Sequence, residues 1–244
     1  MNLVIALFCD LFRGEDRKPT LILLTSTVLI AVWWCLSTYL PHPVPESVAA
    51  VLSRLFPAEI VADLWGAFRI LGSGALLLGL VPALIVKFVL RERLRDYGLQ
   101  RGDLKLGLCW AIVLVPPLMY LAYSTAQRPE YRAVYPLNDR AQNCFLLHAA
   151  VQLAYYVAWE FHFRGFLLHG LKSRSGTSVA VWVQVMASVL AHLGKPGSEI
   201  AGALGGGVLW GLLSVQCRSI LSSFLQHWLL GLSLDYFLCF PPGS

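Results

Sequence analysis

The sequence has few charged residues for its length. Of its 244 residues, 14 % are charged and 57 % are hydrophobic, whereas a soluble domain carries about 25 % charged residues. This composition excludes an ordinary soluble domain. The formal net charge of +5 does not indicate binding of nucleic acid, because the Lys and Arg residues stand between apolar blocks, where they set membrane topology.

Several functional signatures are also missing. The six cysteines stand singly without a C-x-x-C pair, so they predict neither a disulfide framework nor a zinc site. There is no H-E-x-x-H metalloprotease pattern, which weighs against a metal site but leaves metal dependence open as an alternative. We predict no cofactor and no metal ligands. The apolar N-terminus contains Asp10 and lacks both a preceding basic residue and a cleavage site of small residues. We therefore expect an N-terminal interfacial helix rather than a cleaved signal peptide.

What the sequence does contain is a series of apolar blocks long enough to cross a bilayer, which takes about 20 residues per helix. We predict an all-α fold, a polytopic transmembrane helix bundle of about seven spans (six to eight). The spans are expected near residues 20–40, 65–90, 106–123, 143–172, 177–193, 199–215 and 219–240. Residues 41–65 are too charged to span and are predicted to form a loop and a surface helix.

No long linker and no internal repeat divides the chain, which predicts one integral membrane domain. Within it we distinguish an N-terminal interfacial and transmembrane region, residues 1–105, from a transmembrane core, residues 106–244. With the N-terminus inside, the inner connectors hold 13 Lys and Arg residues and the outer connectors 5. The positive-inside rule therefore predicts that the N-terminus lies inside and the C-terminus outside.

Three of the predicted helices carry ionisable residues among apolar ones, and such residues in a membrane indicate a functional site by default. Glu160 and Arg164 are four residues apart and share a helix face, where they can pair. His162 projects away from that face, and His169 lies near the helix end, where we expect it at the interface.

The other two helices carry one histidine each within their predicted spans. His192 lies near the end of the fifth span, and His227 lies in the seventh. By four-residue spacing, Ser223, Gly231 and Asp235 share the face of His227. These two histidines are the candidate partners of Glu160.

The depths of these residues decide whether they can meet. We expect the turn between the fourth and fifth spans at about Ser175. Glu160 is 15 residues before Ser175 and His192 is 17 after it, so both lie about 22–26 Å from this turn at ~1.5 Å per residue. His227 lies ~15 Å from the turn near Cys217. It lies at the same depth as Glu160 and His192 if the turn at Ser175 projects ~10 Å beyond the membrane face. We therefore expect one carboxylate and two imidazoles at one depth.

Such a group suits hydrolysis. A carboxylate can take a proton from water that attacks a carbonyl, one imidazole can hold the water or protonate the leaving amine, and another can donate to the oxyanion. The same residues can form the proton relay of a transporter, or can merely pair helices. The residues alone leave these three alternatives open.

The motifs resemble those of the CPBP intramembrane protease family, the CAAX-processing and bacteriocin-immunity (ABI-type) endopeptidases. "WEFHFRGFLLHG" is similar to the family's E-E-x-x-x-R motif, "SVLAHLGKP" to F-x-x-x-H, and "RSILSSFLQHWLLG" to H-x-x-x-N. The order of the motifs agrees, and the resemblance covers residues 96–240. It implies that the catalytic residues are Glu160, Arg164, His192 and His227, with Glu160 activating water and the two histidines assisting.

Three positions depart from the family pattern. Trp159 stands in place of the first glutamate, although family variants that read W-E-F-x-F-R-G are closer to this chain. Ser188 replaces the phenylalanine of the second motif. Gly231 replaces the asparagine of the third, so we expect His227 or Ser223 to supply the missing oxyanion donor. We expect Asp235 to orient His227.

The resemblance implies a glutamic-type intramembrane endopeptidase that acts on a membrane-anchored or hydrophobic peptide. The substrate class stays open among a prenylated tail, a C-terminal sorting segment and a bacteriocin-like peptide. We expect a multi-pass protein of the bacterial cytoplasmic (inner) membrane whose partners are the lipid bilayer and its substrate, with no nucleic acid. The alternative is a non-enzymatic immunity or scaffold protein that retains the fold.

Overall fold

The computed structural model describes residues 17–241, and these form helices and connectors without a β-strand. The predicted all-α bundle is confirmed. The predicted N-terminal interfacial helix lies outside the described residues. The helices, numbered in chain order, are α1 (Arg17–Tyr39), α2 (Glu46–Leu52), α3 (Ala58–Val89), α4 (Leu104–Ala126), α5 (Pro129–Arg132), α6 (residues 145–175), α7 (Thr177–Ala191), α8 (Gly197–Cys217) and α9 (Leu221–Cys239).

A helix lies at each of the seven predicted spans. By length and composition, α1, α3, α4 and α8 can each cross a membrane, which makes the chain an integral membrane protein. The second span begins earlier than predicted, at Ala58 rather than near residue 65. The early turns tolerate charge because Glu59 is exposed and Asp63 forms an ion pair of 2.5 Å with Arg140.

Helix α6 is the centre of the bundle, in contact with α1, α3, α7, α8 and α9. It consists of three consecutive segments: Phe145–Glu160, the π-helical Phe161–His169 and Gly170–Ser175. Gly176 then turns the chain into α7 with a φ of 80°, a left-handed conformation that glycine adopts without strain. This confirms the predicted turn and sets α7 beside α6.

A polar cluster fastens α1 to the connector between α3 and α4. Lys18 Nζ lies 2.8 Å from Glu92 Oε2, and the Tyr97 hydroxyl donates to the same oxygen over 2.5 Å. Burial opposes ionisation of Glu92, but the hydrogen bonds from Lys18 and Tyr97 leave its pKa below the usual range. The cluster therefore carries an ionised carboxylate at the end of the bundle where α1 begins and α3 ends.

Candidate functional site

The site is built on the point in α6 where the α-helix widens into the π-helical segment. Glu160 is the last residue before that segment, and Arg164 lies within it. Both side chains are buried, and Arg164 Nη1 is 3.0 Å from Glu160 Oε1, a charge contact rather than a well-directed hydrogen bond. The predicted pair is present, and π-helical turns of this kind are frequent at functional sites.

His227 reaches the same carboxylate from α9. Its Nδ1 lies 2.8 Å from Glu160 Oε1, so the imidazole N–H donates to the carboxylate. The Ser223 hydroxyl approaches Glu160 as well and donates to the carbonyl of Ile220 over 2.9 Å. Glu160 Oε2 is buried and accepts no hydrogen bond from the described residues, which leaves one carboxylate oxygen with lone pairs to offer.

His192 comes close to this pair without touching it. Its Nδ1 is 2.7 Å from the carbonyl oxygen of Ser188, which can only accept, so Nδ1 carries the hydrogen. In the neutral ring, Nε2 then presents a lone pair, and this atom is 3.9 Å from Glu199 Oε1. The edge of Trp159 lies next to His192, with ring centroids 5.3 Å apart.

Aromatic rings enclose the polar atoms. Trp210 stacks on His227 at 4.4 Å between centroids, and its ring faces the Arg164 guanidinium at 5.6 Å. Tyr156 meets the His227 ring edge-on at 4.7 Å. Apolar surroundings lower the local dielectric constant and thus strengthen interactions among charges and dipoles in the site.

Two histidines of the first motif lie outside the cluster. His162 faces α1, where its Nε2 is 2.7 Å from the Ser26 hydroxyl, in agreement with the prediction that it projects away. His169, predicted to lie at the membrane interface near the helix end, is buried against protein, with Nε2 3.0 Å from Ser214 Oγ and Nδ1 2.8 Å from Lys172 Nζ. Because α8 packs against this end of α6, a position near the helix end is still internal.

Asp235 does not orient His227 as expected. Its Oδ2 is 2.8 Å from His148 Nε2 and accepts a hydrogen bond of 2.7 Å from Gln152. His148 and Gln152 stand on the face of α6 that carries Glu160, at successive four-residue steps. Glu160 itself is the carboxylate that holds His227, while Asp235 forms a second buried polar group one turn beyond Gly231.

Glu199 is a residue of the site that the sequence did not single out. Its carboxylate accepts from the Tyr135 hydroxyl over 2.5 Å and faces His192. A glutamate in the first turn of a helix is ordinary, because it complements the helix dipole, so its position in α8 gave no signal. Nearby, burial lowers the pKa of Lys195 to about 8, although the charges of Glu199 and Asp235 oppose that shift.

Residues 17–241 contain no group of three or more His, Cys, Asp or Glu side chains placed to hold a metal ion. Residues 141–233 match the model of a family described as type II CAAX prenyl endopeptidase Rce1-like. A search of curated proteins found no match, and a search of solved structures found none either. The matched segment contains Glu160, Arg164, His192 and His227, and the match confirms the resemblance of this chain to the CAAX-processing membrane protease family.

Proposed function

We propose that this protein is a glutamic-type intramembrane endopeptidase that hydrolyses a peptide bond in a membrane-anchored or hydrophobic substrate. The observation that carries the proposal is the 2.8 Å contact between Glu160 and His227. It joins two helices whose motifs resemble those of one protease family, and both residues lie within the matched segment. Residues 106–244 are accordingly proposed as the catalytic core of a single membrane domain.

The two oxygens of Glu160 are suited to different tasks. Oε1 is held by Arg164 and His227, which fixes the carboxylate and offsets its charge. Oε2 accepts the proton of a water molecule while the water oxygen bonds to the scissile carbonyl carbon. When the tetrahedral intermediate collapses, the C–N bond breaks and the proton passes to the leaving amine nitrogen.

His192 holds the water in this mechanism. Its Nε2 lone pair accepts a hydrogen bond from one O–H of the water. The Ser188 carbonyl keeps the ring in the tautomer that exposes this lone pair. Positioning of the nucleophile is a contribution separate from its deprotonation. The role of His192 is therefore expected to appear as a loss of rate smaller than that of Glu160.

The family match makes a prenylated C-terminal tail the first substrate to test, followed by a sorting segment and a bacteriocin-like peptide. The purified protein in proteoliposomes would be given a dye-labelled farnesyl-cysteine peptide, and the released fragment identified by mass spectrometry. Cleavage at a single bond supports the proposal. If the folded protein cleaves none of the three substrate classes, the non-enzymatic scaffold becomes the better description. The location of the protein in the bacterial cytoplasmic (inner) membrane stays a prediction.

Substitution of His192 by alanine is expected to lower the cleavage rate by about 10²-fold, the lower end of what one positioned acid–base or water-binding group contributes. Initial rates in proteoliposomes would measure the loss at equal protein insertion. His42→Ala is the matched control, because His42 is exposed in the connector after α1. An unchanged rate for His192→Ala would remove this residue from the mechanism.

A further inference from the structure

The space that a side chain at position 231 would occupy is filled by Tyr156. A Cβ atom built on Gly231 would lie 2.0 Å from the Tyr156 hydroxyl oxygen and 2.6 Å from Cζ. Both distances are far shorter than any van der Waals contact, so any larger residue at position 231 would displace the phenol. Glycine is therefore the residue that lets the Tyr156 ring extend from α6 to the backbone of α9.

Tyr156 also stands next to the proposed catalytic pair. It precedes Glu160 by four residues and so occupies the same face of α6, one turn away. Its ring meets the His227 ring at 4.7 Å between centroids with an interplanar angle of 65°. The hydroxyl end lies within electrostatic reach of the carboxylates of Glu160, Glu199 and Asp235.

The phenol O–H is a hydrogen-bond donor of the kind that stabilises negative charge developing on a carbonyl oxygen. The other hydroxyl near Glu160 is engaged, because Ser223 donates to the Ile220 carbonyl. The amide of Gln152 donates to Asp235. Residue 231, on the face of His227, has no side chain and therefore supplies no donor.

We propose that the Tyr156 hydroxyl is the oxyanion donor of this enzyme, a role that Gly231 makes possible by leaving space for the ring. The inference rests on the proposed endopeptidase function. Tyr156 keeps its proton throughout and donates a hydrogen bond to the scissile carbonyl oxygen as the C–O bond to water forms. The bond is strongest in the tetrahedral state, so it acts on turnover more than on substrate binding.

The first test is Tyr156→Phe, which removes the hydroxyl and keeps the ring. The kcat for the peptide shown to be cleaved is expected to fall about 10²-fold, as for loss of one oxyanion donor, with little change in KM. Tyr120→Phe, an exposed tyrosine of α4, is the matched control and should keep the wild-type kcat. A KM effect without a kcat effect, or no effect, would overturn the proposal.

A second test exchanges the donor between helices. Gly231→Asn alone should lose activity, because the new side chain collides with Tyr156. Combined with Tyr156→Ala, the asparagine gains space, and the double variant should exceed the Tyr156→Ala single variant by at least about 10-fold in kcat, as one regained hydrogen bond to charge permits. A double variant no better than the single one would count against a shared donor position.

Two comparisons separate the possible failures. Trp159→Phe removes an indole N–H that is buried without a hydrogen-bond partner among the described residues. If Trp159→Phe lowers kcat and Tyr156→Phe does not, the donor is the indole and our assignment is wrong. Glu160→Gln, measured in parallel, reports on the endopeptidase function itself, so that the function can stand when the assignment of Tyr156 fails.

Discussion

Replacing Glu160 with glutamine is expected to lower the cleavage rate by about 10³-fold, within the range of a positioned general base. The amide oxygen of glutamine can still accept the hydrogen bond from His227 Nδ1, so the contact between α6 and α9 is kept. What disappears is the oxygen that takes the proton of water. Initial rates of peptide cleavage in proteoliposomes, at equal insertion of both proteins, measure the effect.

The matched control for this variant is Glu59→Gln, an exposed glutamate in the first turn of α3. It makes the same chemical change far along the chain from the site and should leave the rate unchanged. If Glu160→Gln cleaves as fast as the wild type, Glu160 is not the base. Any physiological effect of the protein that also survives the substitution would then point to the scaffold alternative.

The largest effect on stability is expected from Arg164→Met. Arg164 is buried with its guanidinium 3.0 Å from Glu160 Oε1, so the substitution leaves a buried carboxylate without its cation. Breaking one partner of a buried ion pair costs about 3–5 kcal/mol. Thermal unfolding in detergent, followed by tryptophan fluorescence, should show a lower midpoint than for the exposed-arginine control Arg54→Met.

The double variant Glu160→Gln/Arg164→Met separates charge from packing. Removal of both charges takes away the unpaired carboxylate, and uncharged replacements of a buried pair are often neutral in stability. The double variant should therefore unfold at a higher temperature than Arg164→Met alone, while remaining inactive. If both variants unfold at the same temperature, the loss comes from the contacts of the arginine side chain, such as that with Trp210.

The parts of the site predicted from the sequence are those that depend on distance along a helix. Four-residue spacing placed Glu160 and Arg164 on one face. A rise of ~1.5 Å per residue put His227 at the depth of Glu160 on the condition that the turn at Ser175 projects ~10 Å beyond the membrane face. The structure has both contacts. Helix positions followed from the apolar blocks, since a block of some 20 residues has few other ways to satisfy its backbone in a membrane.

The parts that escaped prediction depend on how the helices are rotated and which neighbours they meet. His169 is internal because α8 covers it, and Glu199 faces His192 because the start of α8 packs beside the end of α7. The fit of Tyr156 to Gly231 joins two residues 75 positions apart. No periodicity within one helix contains that information.

The burial of one stretch of α6 on every side has a consequence for the evolution of this chain. Residues 158–171 are all buried, so none of these positions faces lipid, where one apolar side chain readily replaces another. A saturation library would show an unbroken intolerant stretch there, in contrast to the periodic tolerance expected along the lipid-exposed face of α4. A residue of this stretch that stays invariant among descendants would therefore reflect close packing as readily as chemistry. Selection for catalysis would be visible only where a particular polar atom is retained.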